Sequence, residues 1–229
     1  MLYRGTLTGQ ASGSLAGNTF SRNRGGQYIR SRATPVNPNT AQQIAVRGAF
    51  SDLAALWSTT LTQAQRDAWN TYAANVPVLN RLGDSIFLTG FNMYLRSNTP
   101  RMQAGLPRVD DGPVNFTLGS FTPTTSTAAS ALDLVSIAFT DADDWTSEDD
   151  AAMLVYTSRS LSPTIDFFKG PFQFAGTILG NATTPITTPQ VVTNPFNNSA
   201  TNKVYARVRV TRADGRLSND EITFSIVDA

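Results

Sequence analysis

The stretch Lys203-Val-Tyr-Ala-Arg-Val-Arg-Val-Thr211 alternates between small apolar side chains and polar or aromatic ones. Successive residues of a β-strand point to opposite faces of a sheet, so this alternation predicts a strand with one buried face. The residues predicted to point into a core are Val204, Ala206, Val208 and Val210. The opposite face then carries Tyr205, Arg207 and Arg209.

Six further short runs of strand-forming residues lie between turn-forming residues in the second half of the chain. They are Val114–Leu118, Leu132–Phe139, Met153–Thr157, Phe172–Ile178, Val191–Thr193 and Ile222–Val227. About seven short strands in a region of ~115 residues are typical of a β-sandwich. We therefore predict an all-β sandwich over residues 106–229.

Residues 35–105 have helical signals instead. Thr40 and Gln43 form a capping-box pattern, as do Thr62 and Gln65, and each pattern predicts the start of a helix. The apolar residues that follow at helical spacing are Val46, Phe50, Leu53 and Trp57 in the first helix, and Trp69, Tyr72 and Ala73 in the second. A third helix is predicted over about 89–98, ending before Pro100. The Pro- and Gly-containing stretch 99–113 is predicted to be a linker.

Residues 1–34 are rich in Gly and Arg and predict a basic arm that contains a β-hairpin. Two registers are open. A loop of Gly25-Gly26 alone puts Arg22 opposite Ile29. A three-residue loop that includes Arg24 puts four residues on one face, namely Phe20, Arg22, Tyr28 and Arg30. We favour the second register because it gathers aromatic and cationic side chains together.

The sequence therefore predicts an α+β multidomain chain with three parts. These are the arm (1–34), a helical anchoring domain (35–105) and an Ig-like sandwich (106–229). Charge follows the same order along the chain. Residues 1–108 carry eleven Arg and three acids, a net charge of +8, and residues 109–229 carry seven bases and fourteen acids, a net charge of −7. Opposite charges in one chain favour ordered contacts between copies.

The composition also excludes several kinds of catalytic and metal-binding site. The chain has no Cys and no His, which excludes disulfides, thiol nucleophiles, Cys/His zinc sites and Ser-His-Asp triads. No apolar run approaches the ~20 residues of a membrane span, so no membrane partner is predicted. We predict no catalytic residues, no cofactor and no enzymatic activity.

The segment Asp141-Ala-Asp-Asp-Trp-Thr-Ser-Glu-Asp-Asp150 contains six acids in ten residues. Carboxylates are ligands for Ca²⁺, but Thr146 stands where an EF-hand requires Gly, and Ala152 where it requires Glu. A solvated acidic loop is the favoured interpretation because like charges repel and stay hydrated. Whether the segment binds a cation is left open.

Two parts of the chain resemble known families. Tyr205–Val210 followed by Ala213-Asp-Gly-Arg-Leu-Ser218 resembles the last hairpin of fibronectin type III and Ig-like modules. Residues 15–108 are similar to a group of uncharacterised bacteriophage and prophage proteins. The motifs that carry this second resemblance are Phe20-Ser-Arg-Asn-Arg-Gly-Gly26, Pro35-Val-Asn-Pro-Asn-Thr40, Leu61-Thr-x-x-Gln-Arg-x-x-Trp69 and Gly90-Phe-Asn-Met-Tyr94. It implies a virion-associated structural protein, assembled in the host cytoplasm.

Partner contacts are predicted on the arm, because planar Arg side chains favour bidentate contacts to carboxylate or phosphate. The predicted partner-binding residues are Arg22, Arg24, Tyr28, Arg30 and Arg32. The expected partners are other copies of the chain, as a homo-oligomer, and other virion proteins. One alternative is nucleic-acid binding through residues 1–47. Another is a surface- or glycan-binding role for the β domain, which requires exposed aromatic side chains on one sheet face.

Overall fold

The computed structural model describes residues 12–23, 26–34, 36–79, 84–117, 126–129 and 132–228. The chain divides into the units Met1–Ala41 and Gln42–Ala229, which we call the arm and the body. This division differs from the predicted boundaries at residues 34 and 105. The helices and the main sheet belong to one unit because side chains from both pack and hydrogen-bond together, as described below.

The arm contains a three-stranded antiparallel sheet in the order β1-β2-β3. Its strands are β1 (Gly13–Leu15), β2 (Asn18–Asn23) and β3 (Gly26–Ser31). Ala16 has a φ of 50° in the turn between β1 and β2. The predicted hairpin therefore forms, with one strand more than the sequence indicated.

The body begins with two helices, α1 (Ala41–Thr59) and α2 (Gln63–Asn75), and contains a third, α3 (Gly90–Gln103). The predicted capping box opens α2. The Thr62 hydroxyl accepts from the Gln65 backbone N–H at 3.3 Å, and the Gln65 side chain accepts from the Thr62 N–H at 2.9 Å. Both donors would otherwise lack a partner in the first turn. Thr89 caps α3 by accepting from the Asn92 N–H at 3.3 Å.

The three helices share an apolar core. Its buried members are Leu53, Leu61, Trp69, Tyr72, Ala73, Met93, Tyr94 and Leu95. The Trp69 ring lies edge-on to Tyr72 and Tyr94, with ring centroids 5.9 and 5.6 Å apart. Offset and edge-to-face rings of this kind stabilise a core beyond the area that they bury.

The predicted apolar face of α1 is only half covered. Leu53 is buried and Trp57 is half-buried, but Val46 and Phe50 are 38% and 51% exposed. Helical periodicity identifies a face, and it does not say how far along the helix a partner extends. The exposed half of α1 lines a groove between α1 and α3.

The predicted end of the third helix before Pro100 is wrong, because α3 continues through Pro100 to Gln103. Proline removes one backbone donor from a helix, and the surrounding structure holds the turn in place. The Asn98 side chain accepts from the Val109 N–H at 2.8 Å and donates to the Val109 carbonyl at 3.0 Å. The last turn of α3 is thereby bound to the segment that follows it.

The predicted linker 99–113 packs against the helices. The Trp69 indole N–H donates to the Asp110 carbonyl at 2.8 Å. A Cβ on Gly112 would lie 2.5 Å from the carbonyl carbon of Ala68, so only glycine permits this close approach. The segment that was predicted to separate two domains joins α2 and α3 to the sheet.

The main sheet of the body has seven strands in the order β10-β7-β6-β12-β11-β8-β9. A two-stranded hairpin, β4 (Val78–Leu79) and β5 (Ser85–Ile86), precedes α3. The sheet strands are β6 (Ser126–Ala129), β7 (Leu134–Ile137), β8 (Ala152–Thr157), β9 (Gln173–Leu179), β10 (Gln190–Thr193), β11 (Lys203–Thr211) and β12 (Glu221–Asp228). Strands β6 and β12 pair in parallel, and all other neighbours are antiparallel.

The sheet bends so that its two ends approach each other. A Cβ on Gly176 in β9 would lie 3.4 Å from the Val192 side chain in β10. The inward residues of β11 are buried as predicted, and they share one core with inward residues of β7, β8 and β10. Trp145, in a short 3₁₀ turn (Asp144–Ser147), is buried there with its ring 5.0 Å from Phe139. The described residues thus combine three helices with a mostly β structure that contains a seven-stranded sheet, as the α+β prediction requires.

One predicted strand is wrong. Residues 114–117 of the predicted strand Val114–Leu118 are irregular, and Leu118 lies outside the described residues. Strand β6 was not predicted, because Ser126–Ala129 has no alternation of large apolar and polar residues. It pairs with β7 and with the end of β12.

The buried tyrosines of the helical core predict a pH-dependent stability. Desolvation raises the pKa of Tyr72 and of Tyr94 to about 12. The unfolded chain releases these protons near pH 10, whereas the folded protein keeps them until about pH 12. The free energy of unfolding should therefore fall as pH rises from 10 to 12, by up to ~1.4 kcal/mol per pH unit for each tyrosine.

Urea unfolding at a series of pH values measures this effect. Tyr72→Phe removes one of the two groups, so its stability should fall less steeply above pH 10 than that of the unmodified protein. Equal slopes for the two proteins would contradict the assignment to Tyr72.

Candidate interaction surfaces

The arm carries the predicted partner-binding residues, and its strand register differs from both predicted registers. Phe20 pairs with Ile29, and Asn23 pairs with Gly26. Because side chains alternate along a strand, Tyr28 and Arg30 lie on one face of β3, and Phe20 lies on the other. The predicted gathering of Phe20 with Tyr28 and Arg30 is therefore wrong.

The remaining predicted residues are placed as follows. Arg22 occupies the position opposite Gln27 in β2, and Arg24 lies outside the described residues. Arg32 follows the end of β3, and its backbone N–H donates to the Gly17 carbonyl at 2.8 Å. Arg30 and Arg32 are exposed. Tyr28 and Arg30 are the predicted residues that the register brings to one face.

The described side chains of the arm do not form a buried core. Among the arm residues whose side chains the structure describes, none is buried, and Leu15 and Val36 are 72% and 88% exposed. A sheet of two or three strands needs a buried apolar face for independent stability. A partner surface would supply the burial that this sheet lacks.

The charges divide between the two units at residue 41. The first 41 residues carry five Arg and no acid, a net charge of +5. Thirteen basic and seventeen acidic residues then remain for residues 42–229, a net charge of −4. The change of net charge predicted at residue 108 therefore does not identify the charged surfaces that are free for partners. Several of the arginines before residue 108 form hydrogen bonds inside the body.

Arg96 and Arg101 are two of these internal arginines. Arg96 donates to the carbonyls of Leu217 and Ser218 at 3.3 and 3.2 Å. Arg101 is fully buried and donates to the Arg212 carbonyl at 2.7 Å and to the Thr211 hydroxyl at 3.1 Å. Both side chains connect α3 to the sheet. Sequence patterns give no sign of this, because the bonded residues are more than a hundred positions apart.

The acidic segment 141–150 is more ordered than a solvated loop. Asp141 accepts from the Thr188 N–H at 2.7 Å, and Asp149 accepts from the Ala182 N–H at 2.9 Å. Glu148 pairs with Arg212 and accepts from the Ala213 N–H at 3.0 Å. These carboxylates position the neighbouring loops. Within the residues that the structure describes, no group of three or more acidic side chains is arranged to hold a metal ion.

The outer face of the main sheet carries stacked aromatic and cationic side chains. The Arg207 guanidinium lies 4.5 Å from the ring centre of Tyr156 and 5.2 Å from that of Phe172. Residues 161–172 cover part of this face, where the Tyr205 hydroxyl donates to the Ile165 carbonyl at 2.6 Å. Tyr156 and Tyr205 are buried as a result.

Strand β12 leaves an apolar stripe uncovered on this face. Ile222, Phe224 and Ile226 are 48%, 49% and 56% exposed. Contiguous exposed apolar side chains of this kind mark interaction surfaces in soluble proteins. The sequence predicted this strand as Ile222–Val227 without assigning its faces, and the structure buries Ser225 and Val227 while it exposes the larger apolar side chains.

The known proteins that are similar to this chain are solved structures. No protein-family model and no curated protein matches the chain. A fibronectin type III-like protein from Clostridium thermocellum is similar to it at a TM-score of 0.32 and 12% identity, over 49% of this chain and 97% of that protein.

Two carbohydrate-active enzymes are also similar in structure. A family 76 glycoside hydrolase from a bovine Bacteroides thetaiotaomicron strain has a TM-score of 0.34 and 11% identity, over 48% of this chain and 21% of the hydrolase. A β-1,2-glucanase from Parabacteroides distasonis has a TM-score of 0.30 and 15% identity, over 54% and 17%. This chain spans about a fifth of either enzyme, and similarity at these scores carries no argument about function.

None of the helices in the described part of the chain combines the length and the apolar character that a bilayer span requires.

Proposed function

We propose that the chain is a non-enzymatic structural protein of a phage particle, a capsid-associated, decoration or connector component that assembles through its arm. The observation that carries the proposal is the separation of charge between the two units. The arm has five Arg and no acid, and the body has a net charge of −4. None of the described side chains of the arm is buried, and such an arm gains stability by docking on an oppositely charged surface.

The body offers exposed carboxylates for such a contact. Those on its surface include Asp149, Asp150, Asp166 and Asp228. When the arm of one copy binds the body of the next, the contact joins two different surfaces. Such heterologous contacts build rings or lattices, depending on whether the rotation between copies closes. The expected partners are therefore other copies of this chain and other virion proteins.

The proposal predicts self-association that depends on salt. Exposed charges are screened beyond ~8 Å at physiological ionic strength, so oligomers that are present at low salt should dissociate as salt rises. Replacing Arg22, Arg24, Arg30 and Arg32 by Gln should shift the protein to monomers at low salt. Mass photometry across a salt series measures both effects.

Replacing the same four residues by Lys provides the matched control. Lys keeps the charge but cannot form planar bidentate contacts, so this variant should still associate, though more weakly, and keep its salt dependence. Monomers of the unmodified protein at every salt concentration would contradict the proposal. Oligomers that persist in the Gln variant would show that the arm does not carry the contact.

Nucleic-acid binding by residues 1–47 is a second candidate function. The observation that favours it is the shared face of Tyr28 and Arg30, because an aromatic ring can stack on a base while a guanidinium contacts phosphate. The same four-residue Gln variant separates the two functions. Loss of DNA retention at low salt with unchanged self-association would favour nucleic acid.

We also infer that the β region is a fibronectin type III or Ig-like sandwich. The strand order, the parallel pairing of β6 with β12 and the shared core between the two ends of the bent sheet support this assignment. The glycan-binding alternative stays a prediction. Its requirement for exposed rings is met along β12 by Phe224 alone, because Tyr205 and Tyr156 are buried.

The proposed location is the virion, after assembly in the host cytoplasm. Cross-linking mass spectrometry of purified particles would identify the neighbours. Cross-links between residues 1–41 and the body of another copy would support arm-mediated assembly.

A further inference from the structure

A continuous groove crosses the body beside the exposed half of α1. Three adjoining cavities of about 380, 420 and 370 Å³ form it, and all three are lined by Gln103. Helices α1 and α3 form one side of the groove, and strands β8, β9 and β11 contribute the other. Three cavities that adjoin through shared lining residues suit an extended chain better than a compact small molecule.

The groove contains more positive than negative charge. Arg96 and Arg209 line one cavity, and Arg207 lines the next. Asp220 is the carboxylate that pairs with two of them, at 2.9 Å from Arg209 Nη2 and 3.8 Å from Arg207 Nη1. Arg96 bonds to backbone carbonyls instead. The lining of the three cavities therefore contains three guanidinium groups and one carboxylate, that of Asp52. This excess of positive charge lies in a body whose net charge is negative.

Arg96 and Arg207 are partly removed from water, and Arg207 is incompletely hydrogen-bonded, whereas Arg209 is paired with Asp220 through two bonds. Burial lowers the pKa of Arg96 and of Arg207, and the Nε of Arg207 is buried with no hydrogen-bond partner among the described residues. Guanidinium groups remain charged at physiological pH, so they do not escape this environment by deprotonation. Charges in such surroundings are stabilised by an additional anion.

Apolar side chains lie beside the arginines on both sides of the groove. Phe50 is 51% exposed, and Val46 is 38% exposed on the same side of α1. Phe172, Phe174 and Phe196 line the far end. The surface therefore places exposed apolar side chains next to an excess of positive charge, a combination that matches a ligand with carboxylates beside apolar groups.

We propose that this groove binds an acidic peptide segment of a partner protein, one in which Asp or Glu alternates with aromatic or aliphatic residues. Charge complementarity selects this occupant. It also excludes the protein's own arm, which carries five Arg and no acid in residues 1–41. The inference does not depend on arm-mediated assembly, because it involves different residues and the opposite charge.

Fluorescence anisotropy tests the proposal with the full chain. The probe is a short labelled peptide in which Glu alternates with Phe and Leu, and the reference peptide has Gln in place of every Glu. The acidic peptide should bind, and the Gln peptide should bind at least about tenfold more weakly, because charge-assisted hydrogen bonds are lost. Equal binding of the two peptides would overturn the proposal.

Variants locate the site. Arg209→Gln should weaken binding of the acidic peptide about tenfold, and Phe50→Ser should weaken it several-fold. Asp220→Asn should tighten binding, because it removes the carboxylate that competes for the arginines. If Asp220 had a purely structural role, its replacement by Asn would not increase the affinity for the acidic peptide. Unchanged or weaker binding by a folded Asp220→Asn protein would count against the proposal.

Arg159→Gln is the matched control, since Arg159 is exposed and does not line the groove. It should bind the acidic peptide as the unmodified protein does. If Arg159→Gln and Arg209→Gln weakened peptide binding equally, the effect would come from the overall charge of the protein. That result would overturn the assignment of the peptide to this groove. If Arg209→Gln abolished self-association and left peptide binding unchanged, the occupant would be a second copy and the peptide assignment would fail.

Discussion

Arg101→Met is expected to lower the free energy of unfolding by about 3 kcal/mol or more, a large fraction of the 5–15 kcal/mol that stabilises a typical domain. Arg101 is fully buried at the end of α3. Its guanidinium donates to the carbonyls of Pro107 and Arg212 at 2.9 and 2.7 Å and to the Thr211 hydroxyl. Methionine fills similar space but leaves these buried acceptors without their donors.

Chemical denaturation in urea measures the loss, with Arg159→Met as control. Arg159 is exposed, so the same substitution there should change stability by less than about 0.5 kcal/mol. Arg101→Lys keeps the charge but cannot reach all three acceptors with one planar group, and we expect an intermediate loss. A stability change in Arg101→Met no larger than that in Arg159→Met would show that these bonds do not hold α3 to the sheet.

Gly112→Ala is expected to destabilise the protein by about 3 kcal/mol, near the upper end of the range for overpacking. The added Cβ would lie 2.5 Å from the carbonyl carbon of Ala68 and 2.6 Å from the backbone N of Trp69. Both are main-chain atoms of α2, which cannot rotate away as a flexible side chain can. Relief of the clash requires α2 to move away from the segment that follows α3.

Gly48→Ala is the control, and it is expected to raise the free energy of unfolding where Gly112→Ala lowers it. Gly48 lies inside α1, and a Cβ there would meet no atom within 4 Å. Alanine is favoured over glycine in a helix, so this variant should gain about 0.5–1 kcal/mol. Thermal or urea unfolding of both variants gives the comparison. A stable Gly112→Ala protein would mean that the segment after α3 is free to separate from α2, as a linker would.

Local sequence signals predicted the parts of the fold that depend on local physics. The alternation in residues 203–211 identified both faces of β11, because the side-chain period of a strand is fixed. The Thr62–Gln65 capping box located the start of α2 for a similar reason. The continuation of α3 through Pro100 was missed, since it depends on contacts made by Asn98 and Arg101 with distant residues.

The interaction surfaces were predicted less completely. Charge and composition identified the arm as a contact element, but the order of glycines and arginines did not fix the register, and the favoured grouping of Tyr28 with Phe20 was wrong. The groove lined by Arg96, Arg207 and Arg209 was not predicted. Arg96 is held there by a hydrogen bond to the Leu217 carbonyl, 121 positions along the chain, and a pattern within a short window of sequence cannot show such a contact.

The central place of β12 in the sheet order affects the timing of folding. Strand β12 lies between β6 and β11, so residues 221–228 make the backbone pairing that connects the strands β10-β7-β6 to the strands β11-β8-β9. During synthesis the hydrogen-bonded sheet cannot be completed until that strand has left the ribosome. A polypeptide cut short before Glu221 would leave the hydrogen-bonding edges of β6 and β11 open, and open edges promote aggregation. Truncated products should therefore collect in the insoluble fraction of a cell extract.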